Sequence, residues 1–184
     1  MAPSPTAHKI GSGLMMGRFR RQAGGSAAVE FALVAPIFFG LLFAILETAL
    51  VFFASQVLET VTGDSARLIL TGQAQEKKLT KEQFKAALCE RVVALFDCSN
   101  GIFIDVRSFP SFQAINLTPP IDAENRKFVD DTQYDPGHAG DIVVVRVFYQ
   151  WPLIVTGLGW NMSNLAGNQR LLSATAAFRN EPFE

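Results

Sequence analysis

The sequence predicts an α+β protein: a long N-terminal transmembrane helix continuing into a small domain whose helices pack on an antiparallel sheet of about three strands. Three observations carry that prediction. A run of 24 residues, Phe31 to Ala54, is almost wholly apolar, with Glu47 its only charge. Beyond it, apolar residues recur every three or four positions, and a capping sequence opens a further helix. After that come three segments in which apolar and other residues alternate, the period of a strand.

The apolar run is long enough to cross a bilayer. At a rise of about 1.5 Å per residue it spans about 36 Å, against a hydrocarbon core of about 30 Å. Fifteen of its residues are Leu, Ile, Phe or Val, which together favour insertion by about 5–9 kcal/mol. Glu47 opposes this by at most about 3 kcal/mol, and it stands near the C-terminal end. A cleaved secretory signal would have a shorter apolar region and a small-x-small site behind it. The following residues, Ser55-Gln56-Val57-Leu58-Glu59, offer none.

Charge sets the expected direction. Residues 1–29 contain Lys9, Arg18, Arg20 and Arg21 and no acidic group, whereas the rest holds 12 basic and 17 acidic residues, a balance of −5. Positive residues before the span keep the N-terminus in the cytoplasm and send residues from about 56 onwards across. An acidic outer portion is not the basic surface that nucleic acid requires.

Past the span, Val57, Leu58, Val61, Ser65, Leu68 and Ile69 fall on one helical face. A single helix from about 28 to 73 is expected, with a break at Thr62-Gly63 as the alternative. Thr80-Lys81-Glu82-Gln83 is a capping box, opening a helix whose face is Phe84, Ala87, Leu88, Val92 and Leu95. Cys89 lies on that helix and Cys98 beyond its end. In an oxidising compartment these two form a disulfide; the alternative is two unpaired thiols, one or both buried. The strands are Ile102–Phe109, Ile142–Trp151 and Leu171–Arg179. In the first, Ile102, Ile104 and Val106 share one side, and Asp105 and Arg107 the other. Between the first two strands, residues 110–140 lack periodicity and read as a functional surface loop or a partly disordered segment.

No catalytic motif stands out: there is no H-E-x-x-H, no G-x-S-x-G and no phosphate-cradling glycine loop. Two thiols do not complete a zinc site. Asp130, Asp131 and Asp135 lack the ligand spacing of a calcium loop and read as solvated. The expectation is a non-enzymatic protein with no cofactor and no metal.

The junction before the span is Gly24-Gly25-Ser26-Ala27-Ala28-Val29-Glu30-Phe31. A glycine, four small or apolar residues, a glutamate and an aromatic lead directly into the membrane helix, behind a basic leader. This resembles the processing site of type IV prepilins, in particular the tight-adherence (Tad/Flp) branch. The stretch Ala28–Ala74, with Pro36, Glu47, Gln56 and the Asp64-Ser65-Ala66-Arg67 run, is similar to the N-terminal region of TadE-like minor pseudopilins. The end of the chain, Leu172–Ala176 through Arg179–Pro182, has a similar finish.

The resemblance implies a division into a leader (1–25), a transmembrane helix (26–55) and an extracytoplasmic pilin-like domain (56–184). It implies cleavage of Gly25–Ser26 by a membrane prepilin peptidase, which makes Glu30 the fifth residue of the mature chain. Glycine suits a protease cleft because the backbone can approach closely without a Cβ. Glu30 would then meet the α-amine of a neighbouring subunit and set the axial register. The alternative for Glu30 is a first-turn carboxylate favoured by the helix dipole. Phe31 belongs to the same assembly segment. Glu47 either pairs with a basic group on another subunit or snorkels towards the far headgroups. Implied partners are the prepilin peptidase, other pilins and pseudopilins of the Tad system, an inner-membrane assembly platform and the lipid bilayer, but no nucleic acid. The rival reading is an uncleaved single-span protein whose outer domain binds a ligand or partner.

Overall fold

A computed structural model describes residues 25–92, 95–98, 100–155 and 161–183. The chain divides into two units, Met1–Phe43 and Ala44–Glu184. The first helix, α1 (Ser26–Leu70), contributes to both.

In the first unit, α1 exposes apolar side chains in every direction: Val29, Phe31, Leu33, Val34, Ile37 and Phe38 are each more than half exposed. A helix that is apolar all round needs an apolar solvent or a protein shell, and the most apolar window of this one has no buried residue. It is the one helix among the described residues long and apolar enough to cross a membrane. Pro36 lies inside it without ending it.

In the second unit, the same helix acquires a buried stripe. Val51, Ala54, Leu58, Val61, Thr62, Ser65, Ala66 and Ile69 are all buried. Val57 and Leu68, expected on this face, lie half-buried at its flanks. The possible break at Thr62-Gly63 does not occur. The helix stops at Leu70, slightly earlier than the expected 73, because Gly72 adopts a left-handed φ of 78° and its N–H turns back to Ile69 O at 3.0 Å. A left-handed glycine is a common helix stop, since it satisfies terminal carbonyls that a continuing helix would otherwise bond. A single turn, α2 (Gln73–Glu76), follows.

The capping box forms as expected. Gln83 N donates to Thr80 Oγ1 at 3.3 Å, and Thr80 N donates to Gln83 Oε1 at 2.9 Å. It opens α3 (Lys81–Cys89), which buries Phe84 and Leu88 completely. Cys89 and Cys98 are bonded, with Cα atoms 5.9 Å apart, so the thiol alternative falls away.

The sheet comprises β1 (Ile102–Phe109), β2 (Ile142–Pro152) and β3 (Gln169–Arg179), antiparallel in the order β1-β2-β3. On one face Ile104, Val106, Val145, Val147, Leu172 and Ala174 join the buried residues of α1 and α3 in a single core. The α+β architecture is as predicted.

The second face of the sheet is covered in part by the irregular 110–140 segment. Residues 110–140 are exposed or half-buried; part of the segment pairs along the free edge of β1, where the Tyr134 ring packs on Phe84, and part covers the second face. Tyr134 runs parallel beside Val106, with Val106 N donating to Gln133 O and Asp135 N to Val106 O, both at 2.9 Å. Phe128 wedges between Phe103 and Phe148, its ring centroid 4.7 and 5.6 Å from theirs. With Ile121, Leu165 and Leu171 these rings make a second, smaller core. The segment lacks periodicity because it packs by single anchors rather than by a regular face.

Candidate processing and assembly site

Gly25 immediately precedes α1, and a Cβ placed on it would meet nothing within 4 Å. Its φ lies outside the left-handed region that favours glycine. Neither packing nor backbone conformation therefore requires glycine at this position. The basic leader with Gly24 lies outside the described residues. The α-helical stretch α1 begins at Ser26, the expected new N-terminus, and Gly25 before it lies in a 3-10 turn.

Glu30 is the fifth residue of the helix and its first turn contains no acidic side chain. This weakens the dipole alternative, whose effect falls away beyond the first turn. Glu30 and Phe31 are both exposed, Phe31 by 67%. The two stand next to each other on a surface otherwise made of apolar side chains.

Glu47 has partners within its own chain. Its carboxylate accepts the backbone N–H of Ile154, and that of Val155 at 3.0 and 3.1 Å to its two oxygens. The adjoining Thr48 donates its hydroxyl to Ala44 O at 2.7 Å and approaches Met162 Sδ at 3.5 Å. The turn after β2 is thus held against α1 by a carboxylate and two consecutive amides. Sequence reasoning weighed a basic group on another subunit against snorkelling towards the headgroups for Glu47, and had no means of naming backbone donors.

A second arrangement escaped the sequence. Asp105, on the side of β1 away from the helices, is 1% exposed and receives Arg146 Nη2 at 2.6 Å and Nε at 2.9 Å. It also accepts Gln133 N at 2.8 Å and Arg107 Nε at 2.9 Å. Burial disfavours its charge, but the Gln133 amide and the two guanidinium groups outweigh that and hold its carboxyl below the usual range. Arg146 continues to Thr118 O at 3.1 Å and lies 5.3 Å from the Phe148 ring centroid. The cluster fastens the 110–140 segment to the sheet. One signal was available: β2 reads IVVVRVFY, a nearly continuous apolar run, which implies that both faces are covered.

The acidic loop residues each have local partners. Asp130 accepts the Thr132 hydroxyl at 2.6 Å, Asp131 meets Arg107 Nη2 at 3.1 Å, and Asp135 accepts Ser108 Oγ and the Gly137 amide. Among the described residues, no group of three or more His, Cys, Asp or Glu side chains is placed to hold a metal. Gly157, Gly159 and Trp160 lie outside the described residues.

Residues 25–67 match the TadE family, described as TadE-like protein. The matched stretch opens on Gly25 and contains Ser26, Glu30, Phe31 and Glu47; the expected likeness near the C-terminus lies outside it. No curated protein and no solved structure matches the chain.

Proposed function

We propose that this chain, TadE-like from Gly25 through most of its long helix, is a minor pseudopilin of a bacterial Tad-type pilus. Prepilin peptidase cuts it between Gly25 and Ser26, and the mature helix then serves as both membrane anchor and assembly handle. The carrying observation is the junction itself. The family match starts at Gly25, the α-helix starts at Ser26, and among the described residues nothing packs against position 25 to require a glycine there.

Other features support the rest of the reading. The apolar girdle of α1 suits a single span. The basic leader favours a cytoplasmic N-terminus, and the Cys89–Cys98 bond suits a domain on the oxidising side. A domain of this size beyond the span argues for the minor class, because a major pilin of this branch is little more than the helix. The protein acts by packing and does no chemistry of its own. Its partners are the peptidase, neighbouring pilins and pseudopilins, and an inner-membrane assembly platform.

Glu30→Ala tests the assembly role. Processing should continue in this variant, while filament assembly falls, because the carboxylate that meets a neighbouring subunit's α-amine is gone. Normal piliation in cells producing Glu30→Ala as their sole copy would refute the role given to Glu30.

A further inference from the structure

The last residue of β2 and the three that follow it have the sequence Pro152-Leu153-Ile154-Val155. All four residues are apolar, and Ile154 is 88% exposed, the most exposed large apolar side chain among the described residues. Isolated exposed apolar residues are ordinary on a soluble surface. The position of this one is not ordinary, because its backbone is tied to Glu47 of α1.

The apolar surface of α1 does not end at Glu47. Leu50, Phe52 and Phe53, further along the helix towards the domain, are 53, 70 and 54% exposed, while Val51 and Ala54 on the opposite side are buried in the domain core. At about 1.5 Å per residue, the exposed girdle continues about 5–9 Å past the level of the turn. If that girdle is in contact with lipid, a side chain held at the level of Glu47 lies below the top of the apolar zone.

The hydrogen bonding of the turn fits such a place. In hydrocarbon, each unsatisfied backbone group costs several kcal/mol, so irregular backbone is tolerated only where its polar groups are paired within the protein. Pro152 has no N–H. Leu153 N donates to Asn168 O at 2.9 Å, and the next two amides donate to Glu47. Every amide donor from 152 to 155 is therefore engaged. The same bonds give Glu47 donors at a depth where an unpaired carboxylate would be costly.

We propose that the Leu153–Val155 turn is a membrane-contact element, with Ile154 inserted among lipid chains at the domain-side rim of the bilayer and Glu47 as the positioning residue that holds it there. The partner is the lipid surface around the protein's own anchor. The proposal rests on the reading of α1 as a membrane-spanning helix, and it adds that the domain is seated in the interface rather than held clear of it.

Site-directed spin labelling of the full chain in phosphatidylethanolamine–phosphatidylglycerol vesicles tests this. A nitroxide is attached to Ile154→Cys, and for comparison to Ile37→Cys on the helix and to Thr175→Cys on exposed β3. The two native cysteines are bonded to each other and do not take the label. Collision rates with dissolved oxygen and with a water-soluble nickel chelate report depth. The oxygen-to-nickel ratio at 154 should resemble that at 37 and exceed that at 175 severalfold. A ratio at 154 equal to that at 175, with 37 still lipid-like, would overturn the insertion and leave the anchor reading standing. Water-like ratios at both 37 and 154 would overturn both. Adding Glu47→Ala to the labelled Ile154→Cys chain should raise nickel collisions at 154 severalfold. No change would remove Glu47 from its positioning role.

Discussion

Asp105 of β1 and Arg146 of β2 are direct cross-strand partners in the sheet register, and their side chains form a buried ion pair 2.6 Å long. Opposite charges directly across a ladder attract, but the larger consequence here is burial. Removing one partner would leave the other charged and uncompensated, a change that typically costs about 3–5 kcal/mol. Asp105→Ala should therefore destabilise the domain by about that amount, measured by denaturant unfolding of the detergent-solubilised protein. Replacing both residues with apolar ones of similar size should recover most of the loss.

The same pair sets a pH dependence. The Asp105 carboxyl is held below its ordinary range in the folded protein. Its contribution is therefore complete above the unfolded value of about 3.9 and is lost as pH falls through the lower, folded value. Wild-type stability should drop on acidification below about pH 4, and Asp105→Asn should remove part of that drop. An unchanged acid profile in Asp105→Asn would mean that other carboxylates govern it.

The Cys89–Cys98 bond closes a loop with a sequence separation of 9 and ties the end of α3 to the segment leading into β1. Loop-closure entropy for so short a loop gives about 2–3 kcal/mol. Cys89→Ser with Cys98→Ser should lower the thermal midpoint, and reductant should do the same to the wild type. A midpoint unmoved by either treatment would show that the bond adds no net stability, contrary to the loop-closure argument.

Two glycines should respond oppositely to alanine. A Cβ on Gly101 would stand 2.4 Å from the Tyr149 ring and 2.8 Å from Asp97 O. The ring cannot simply swing away, because its hydroxyl accepts Asp97 N at 3.3 Å. Gly101→Ala should cost about 1–3 kcal/mol through overpacking. Gly63 sits exposed inside α1 with open space around it, so Gly63→Ala should stabilise by about 0.5–1 kcal/mol. Paired unfolding curves check both signs.

Much of this was legible in the sequence where a periodic signal existed. The 24-residue apolar run, the Thr80–Gln83 capping box and the three alternating segments became the apolar part of α1, α3 and the sheet. The strand bounds were close, β2 gaining Pro152 and β3 beginning two residues earlier, at Gln169, but the helix after the capping box ends at Cys89, short of Val92 and Leu95 expected on its face. The packing of 110–140 was not legible, because Phe128, Gln133 and Tyr134 make their long-range contacts at irregular spacing and no repeat announces them. Asp105 read as one of two charges on a second strand face; only the partner strand reveals that Arg146 stands opposite. At the junction the residue types were readable in order. What the fold adds is that Gly25 has no structural reason to be glycine, and that Glu30 lies beyond the first turn. Glu47 is the reverse case: its charge was conspicuous, but its partners are backbone amides 107 and 108 residues away.

The central claim is that the leader is cut off behind Gly25 and the apolar helix is kept. Intact-mass analysis of the protein extracted from membranes of cells with an active prepilin peptidase measures this directly. The account predicts a wild-type chain beginning at Ser26, and a Gly25→Val chain that folds but retains the basic leader, since a Cβ at 25 meets nothing within 4 Å among the described residues. A wild-type chain recovered from those cells with its leader intact would contradict it.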